Sequence, residues 1–127
     1  MRSAVLETIA TLAPRTKSFV FTHAVSHDGG HRIDQEIAEQ ILGVAQKRGA
    51  ETLVVRLFCD EATLATRIEM PSRAARLKER DGARAAQYVS LAPFIPDHDW
   101  VLEIETTNLR PEETADAILN TIRSNRT

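Results

Sequence analysis

Apolar residues recur along the chain in two alternating periods. Val5, Leu6, Ile9 and Leu12 fall at helical spacing. They predict a short helix over Ser3–Leu12, with Ser3 as its cap and Pro14 as its stop. Phe19, Val20 and Phe21 form the apolar body of a predicted strand, Lys17–Thr22. Ile33, Ile37, Ile41 and Val44 return to the 3.6-residue period and predict the clearest helix, over residues 31–48. Gln40, Lys47 and Arg48 are expected to face outward, with Gly49 as the C′ residue. Thr52–Phe58 is a nearly unbroken apolar run rich in β-branched residues and reads as a buried strand. Asp60 then offers an N-cap and Glu61 an acidic first turn for a helix ending near Met70, before Pro71.

The second half repeats the pattern. Residues 72–90 read as helical and strongly basic, with Gly82 dividing them, and their alanine-rich content predicts a flap that packs only in part. Leu91–Asp99 carries two prolines and reads as a connector. Trp100–Glu105 is the third predicted strand and Thr106–Asn108 a turn. Pro111 opens a last helix with the stripe Thr114, Ala117, Ile118 and Ile122. The order αβαβα(α)βα implies a single α/β domain: a short, mostly parallel sheet covered on both faces as a three-layer sandwich. Ligands in such sheets sit beyond the carboxyl ends of the strands. Here those ends are Thr22–Gly30, Cys59–Glu61 and Thr106–Asn108.

Composition narrows the function class. With 127 residues, 43% hydrophobic and 27% charged, the chain is an ordinary globular domain with room for a modest core. A net charge of −2 gives a nucleic-acid partner no support. No apolar run approaches the roughly 20 residues of a membrane helix, and the N-terminus lacks the apolar segment of a signal peptide. One cysteine, Cys59, excludes an intramolecular disulfide framework and suits a reducing cytoplasm.

Three stretches, in order, resemble the P-loop small-molecule kinases, the group of shikimate, gluconate and adenylate kinases and chloramphenicol phosphotransferase. VVRLFCDEATLATRI is similar to the family's strand, acidic cap and helix ending in Leu-x-x-Arg. PSRAARLKERD is similar to its arginine-rich lid. LEIETTNLRPEETADAIL is similar to its last strand, Thr-containing turn and final helix, and is the most specific of the three. The resemblance spans roughly residues 17–123. It implies ATP and Mg²⁺ as cofactors and phosphoryl transfer to a small-molecule hydroxyl as the reaction; charge and hydropathy, as above, lead to the expectation of no nucleic-acid or membrane partner.

One family element is missing. The loop G-x-x-x-x-G-K-[ST], whose backbone N–H groups cradle phosphates, has no counterpart among these residues; the five glycines leave no hidden variant. The resemblance implies that the missing strand and loop belong upstream of Met1. That strand would lie between those matching Phe19–Thr22 and Thr52–Phe58, so its absence opens a gap of about 9–10 Å. Either the two strands close up, or a partner chain fills the slot in a homo-oligomer. The chain is therefore expected to be a truncated or P-loop-less kinase relative, inactive alone. The alternative is a non-enzymatic interaction module completed by a partner strand.

The resemblance also assigns candidate residues. Arg67 matches the arginine that stacks on adenine, a role its flat guanidinium suits. The plainer reading is a solvated arginine near a helix C-terminus. Arg73, Arg76, Lys78 and Arg80 match the lid that closes over the transferring phosphate, with Arg73 and Lys78 the preferred catalytic pair. They could equally be an exposed basic helix balanced by Glu79 and Asp81. Thr107 and Asn108 match the turn along the adenine, or simply cap the last helix. His23, His27 and His31 share a four-residue spacing that invites a metal, but Gly29–Gly30 breaks the helix that would align them. The better functional reading places Asp28 or His27 near the acceptor hydroxyl; the plainest has Asp28 capping the next helix. Cys59 reads as a small apolar residue and Trp100 as core or rim.

Overall fold

The computed structural model describes residues 2–23, 32–71, 81–89 and 95–125. The fold is mixed α/β. Five α-helices and a two-stranded parallel sheet are present among the described residues. The chain divides into two compact units: Met1–Leu53 with Pro93–Trp100, and Val54–Ala92 with Val101–Thr127.

The first unit holds α1 (Arg2–Thr11) and α2 (Arg32–Arg48). Leu6, Ile9 and Val44 are its buried apolar core, with Ala10 and Ile41 packed against it. The helical spacing is thus borne out, but only its centre is buried: Val5, Leu12 and Ile33 are exposed. Since α1 begins at Arg2, Ser3 lies within the first turn and does not precede it as a cap. Gly49 follows α2 with φ +65°, the left-handed C′ conformation expected of it. His98 donates from Nε2 to the Thr52 carbonyl at 2.7 Å, which ties the connector to the residue before the sheet.

Arg48 departs from expectation. It does not face outward but is buried, at 9% exposure. Its Nη1 donates to the Ile9 and Ala13 carbonyls (2.6 and 3.0 Å), and Nη2 to those of Pro14 and Lys17 (2.8 and 3.3 Å). These carbonyls lie at and beyond the end of α1, where the helix dipole is negative and intrahelical donors run out. The guanidinium also sits 5.2 Å from the Phe19 ring centroid.

The second unit is a β–helix–β crossover followed by a helix. β1 (Val54–Phe58) pairs in parallel with β2 (Val101–Glu105). The register places Arg56 opposite Glu103, and their side chains form an ion pair at 3.1 Å. Between the strands run α3 (Glu61–Ile68), a 3₁₀ turn (Gly82–Arg84) and α4 (Ala85–Val89). α5 (Pro111–Asn125) closes the unit. Pro111 takes the first helical position as expected, and Glu113 reaches back to accept from the Arg110 N–H at 3.0 Å. Ile68, Ala85, Ile104 and Thr114 are buried. α3 packs against the 3₁₀ turn at Gly82, where an added Cβ would meet the Glu69 carboxylate (Cδ at 2.7 Å) and the Ala65 carbonyl at 3.0 Å. Glu69 can swing aside, but the Ala65 backbone cannot. Gly82→Ala is therefore expected to cost about 1 kcal/mol in urea denaturation, whereas exposed Ala83→Ser should change little.

Two strand expectations change. β1 is only half-buried, with Leu57 at 54% exposure, and a single strand flanks it among the described residues. Residues 17–23 form no strand: they run without a turn or bend and pair with no strand among the described residues. Gly82 does begin a separate short helical segment, as expected.

Candidate functional site

The carboxyl end of the parallel pair is where an α/β sheet presents ligand-binding groups, and there the structure builds a compact polar knot. Asp60 caps α3, its Oδ1 accepting from the Thr63 N–H at 2.8 Å. The Asp60 N–H in turn donates to Thr107 Oγ1 at 3.0 Å, joining the turn after β1 to the turn after β2. Thr106 extends the ladder: its N–H donates to the Phe58 carbonyl at 2.7 Å, and its hydroxyl donates to the same oxygen at 3.2 Å.

Arg67 enters from the last turn of α3. Its Nη1 donates to Thr106 Oγ1 at 2.7 Å and its Nη2 to the Thr106 carbonyl at 2.6 Å, with a longer contact of 3.5 Å to the Leu109 carbonyl. The Leu109 N–H returns to the Thr106 carbonyl at 3.0 Å and closes the turn. Arg67 is therefore half-buried and anchored rather than free in solvent. Guanidinium hydrogen bonds lie in the plane of the group, so this anchoring leaves the faces of the plane unused.

Hydrogen bonds from the Thr63 hydroxyl and N–H, with the Arg67 charge adding to them, hold the Asp60 carboxyl below its ordinary range. A lowered carboxyl pKa contributes stability above the ordinary aspartate range, and that contribution disappears as pH falls through the lowered value. Asp60→Asn should thus separate from the parent most clearly near neutral pH. The difference should shrink below about pH 4, as read by urea midpoints across a pH series. A constant difference from pH 7 to pH 2 would exclude the carboxylate as the source.

The other predicted site residues fall differently. Thr107 joins the knot, while Asn108 is exposed at the tip of the turn. Asp28, His27, His31, Arg73, Arg76, Lys78 and Arg80 lie outside the described residues. His23 is described, in the first unit, where its Nε2 lies 2.6 Å from Oδ1 of Asp34, a carboxylate 1% exposed. No cluster of three His, Cys, Asp or Glu fit to hold a metal occurs among the described residues. Cys59 is half-buried and unpaired by disulfide. A groove of about 300 Å³ between α1 and α2, lined by Leu6, Gln40 and Lys47 among others, contains none of the candidate residues. No helix among the described residues is long and apolar enough to cross a membrane.

Sequence reasoning missed two residues, Thr106 and Asp34. Thr106 had a readable signal, as the first polar residue after an apolar strand. Asp34 offered no signal beyond being an acid in the first turn of α2.

Compared with protein-family models, with curated proteins and with solved structures, the chain matches none.

Proposed function

We propose that the chain is a relative of the ATP-dependent small-molecule kinases, keeping the base-binding end of their nucleotide site without a phosphate loop among its 127 residues. In this reading the β1–β2 pair belongs to a larger parallel sheet in a three-layer sandwich. The sandwich works in the cytoplasm on Mg-ATP and a small hydroxyl acceptor. The observation that carries the reading is the Arg67 anchor. Three backbone and hydroxyl oxygens hold the guanidinium by its edges, at the carboxyl end of the strands and beside the Thr106–Leu109 turn. An aromatic base could stack on such a plane without breaking those bonds.

The chain alone should not transfer phosphate, because nothing in its sequence supplies the N–H cradle and lysine that hold a triphosphate. Base recognition without phosphate recognition predicts a specific pattern. In calorimetric titration adenosine, ADP and Mg-ATP should bind alike, with a Kd of about 0.1–1 mM, and Arg67→Ala should abolish all three. A folded chain that binds none of them at several millimolar overturns the reading. Micromolar Mg-ATP binding that is much tighter than adenosine binding would place a phosphate site elsewhere in the chain and revise it.

A second reading is favoured by the half-exposed sheet. With Leu57 and Phe58 both open to solvent, the second unit could instead be a non-enzymatic module completed by a partner strand at β1. A folded, nucleotide-blind oligomer that dissociates on substitution within residues 53–57 would select it.

A further inference from the structure

Residues 18–22, SFVFT, are the least explained stretch of the first unit. They alternate in exposure as a strand does: Val20 is 92% exposed, whereas its neighbours Phe19 and Phe21 are 43% and 41% exposed. They are aromatic and β-branched, the composition of a sheet. Yet among the described residues the backbone N–H and C=O groups from Ser18 to Thr22 have no hydrogen-bond partner.

The segment is nonetheless held at both ends. At one end Arg48 bonds the Lys17 carbonyl and lies over the Phe19 ring. At the other, His23 is paired with buried Asp34. An extended segment that is tethered at both ends, with no ladder partner among the described residues, has already met much of the entropic cost of pairing. It is also the kind of exposed edge that native proteins otherwise protect with charge, proline or a bulge, and residues 18–22 contain no charge or proline.

The sequence names its partner. Read antiparallel to itself about Val20, the segment is self-complementary. Val20 falls opposite the partner's Val20, Phe19 opposite the partner's Phe21, and Ser18 opposite the partner's Thr22. Each is a favourable cross-strand pair, and no like charges meet within the five residues. A two-fold axis through Val20 pairs the backbone groups on the facing edge of each copy and closes the assembly at two chains. We propose that residues 18–22 are a homodimerisation edge, pairing antiparallel with a second copy of this chain about Val20. The proposal rests on neither reading of the β1–β2 sheet.

The test is sedimentation of the purified chain from about 1 to 300 μM. A five-residue ribbon is a small interface, so the expected Kd is about 10–100 μM. Val20→Asp, which brings two carboxylates together on the axis, should weaken the dimer at least about tenfold. Far-UV circular dichroism should not change, because Val20 touches little in the monomer. A parent chain monomeric at 300 μM, or a dimer indifferent to Val20→Asp, overturns the proposal. The register has its own readout. With Cys59→Ser as background, Val20→Cys should form an intermolecular disulfide on mild oxidation far faster than Leu12→Cys, a comparably exposed site outside the segment. Equal rates for the two would overturn the register and the proposal with it.

Discussion

Arg48→Met is expected to unfold the first unit under conditions in which the parent chain is folded, at a cost of about 3–5 kcal/mol. The hydrophobic core there is small: Leu6, Ile9 and Val44 are its buried apolar residues. Methionine replaces the apolar stem of the arginine but none of its donors. Four carbonyls, those of Ile9, Ala13, Pro14 and Lys17, then lose their arginine donor together, and only that of Pro14 keeps a second one among the described residues, the Lys17 N–H at 3.0 Å. Two of them lie at or near residues the unit buries, where water replaces a lost donor poorly. Arg48→Lys should recover less than half of the loss. One ammonium on a flexible stem cannot span carbonyls that the guanidinium reaches with two separate nitrogens. Trp100, the single tryptophan, belongs to this unit, so its fluorescence reports the transition in urea. Arg123→Met, on an exposed stretch of α5, is the control and should stay within about 0.5 kcal/mol of the parent. If Arg48→Met moved the midpoint no further than that control, the clamp would be ornamental and the unit would be held by something else.

The second large effect is expected at Arg67. Arg67→Ala removes two short charge-assisted bonds to Thr106 and the longer contact to Leu109. Hydrogen bonds to a charged donor contribute about 1.5–3 kcal/mol, and the buried Thr106 hydroxyl keeps a bond to the Phe58 carbonyl, so a loss of about 2–3 kcal/mol is expected. The effect should be local to the second unit. Amide exchange at Thr106 and Leu109, whose N–H groups bond within the knot, should accelerate about 30- to 150-fold. Amides in the middle of α2, in the other unit, should be unchanged. Arg67→Lys keeps the charge but not the fork, and should resemble the alanine variant in exchange. Unaltered exchange at both turn amides would mean that Thr106 and Asp60 alone secure the turn.

These two arginines also mark how far the sequence could be read. Helices are nearly local objects, and the apolar period with its stop signals placed all the long ones. Asp60, Gly49 and Pro111 took the cap positions their chemistry favours. Arg48 was misjudged on charge alone, for it continues the spacing of Ile37, Ile41 and Val44 and so lies on the inward stripe. The position was legible. The four carbonyls that make burial tolerable were not, because they come from residues 31 to 39 positions away. A strand is not local at all. Lys17–Thr22 has the composition of one, but a strand exists only when a neighbour supplies the ladder. β1 likewise reads as buried from its apolar run, but it has one partner strand among the described residues and Leu57 is exposed. At the candidate site, the family likeness pointed to Arg67, Thr107 and the turn after β2. It gave no hint that Arg67 would be fixed to that turn by its edges.

The pairing of β1 with β2 has a consequence for the protein during its synthesis. Arg56 and Glu103, opposite each other in the ladder, are 47 residues apart in the chain. At about 5–20 residues per second, the ribosome takes roughly 2–9 seconds to add the second strand after the first has been made. For that interval Val-Val-Arg-Leu-Phe waits for β2, the strand it pairs with. Arg56 is the one charge in that stretch, and it splits the run into two apolar pairs. A charge so placed in an apolar run disfavours its pairing with further copies of itself, so Arg56 is expected to act as a gatekeeper before it becomes half of an ion pair.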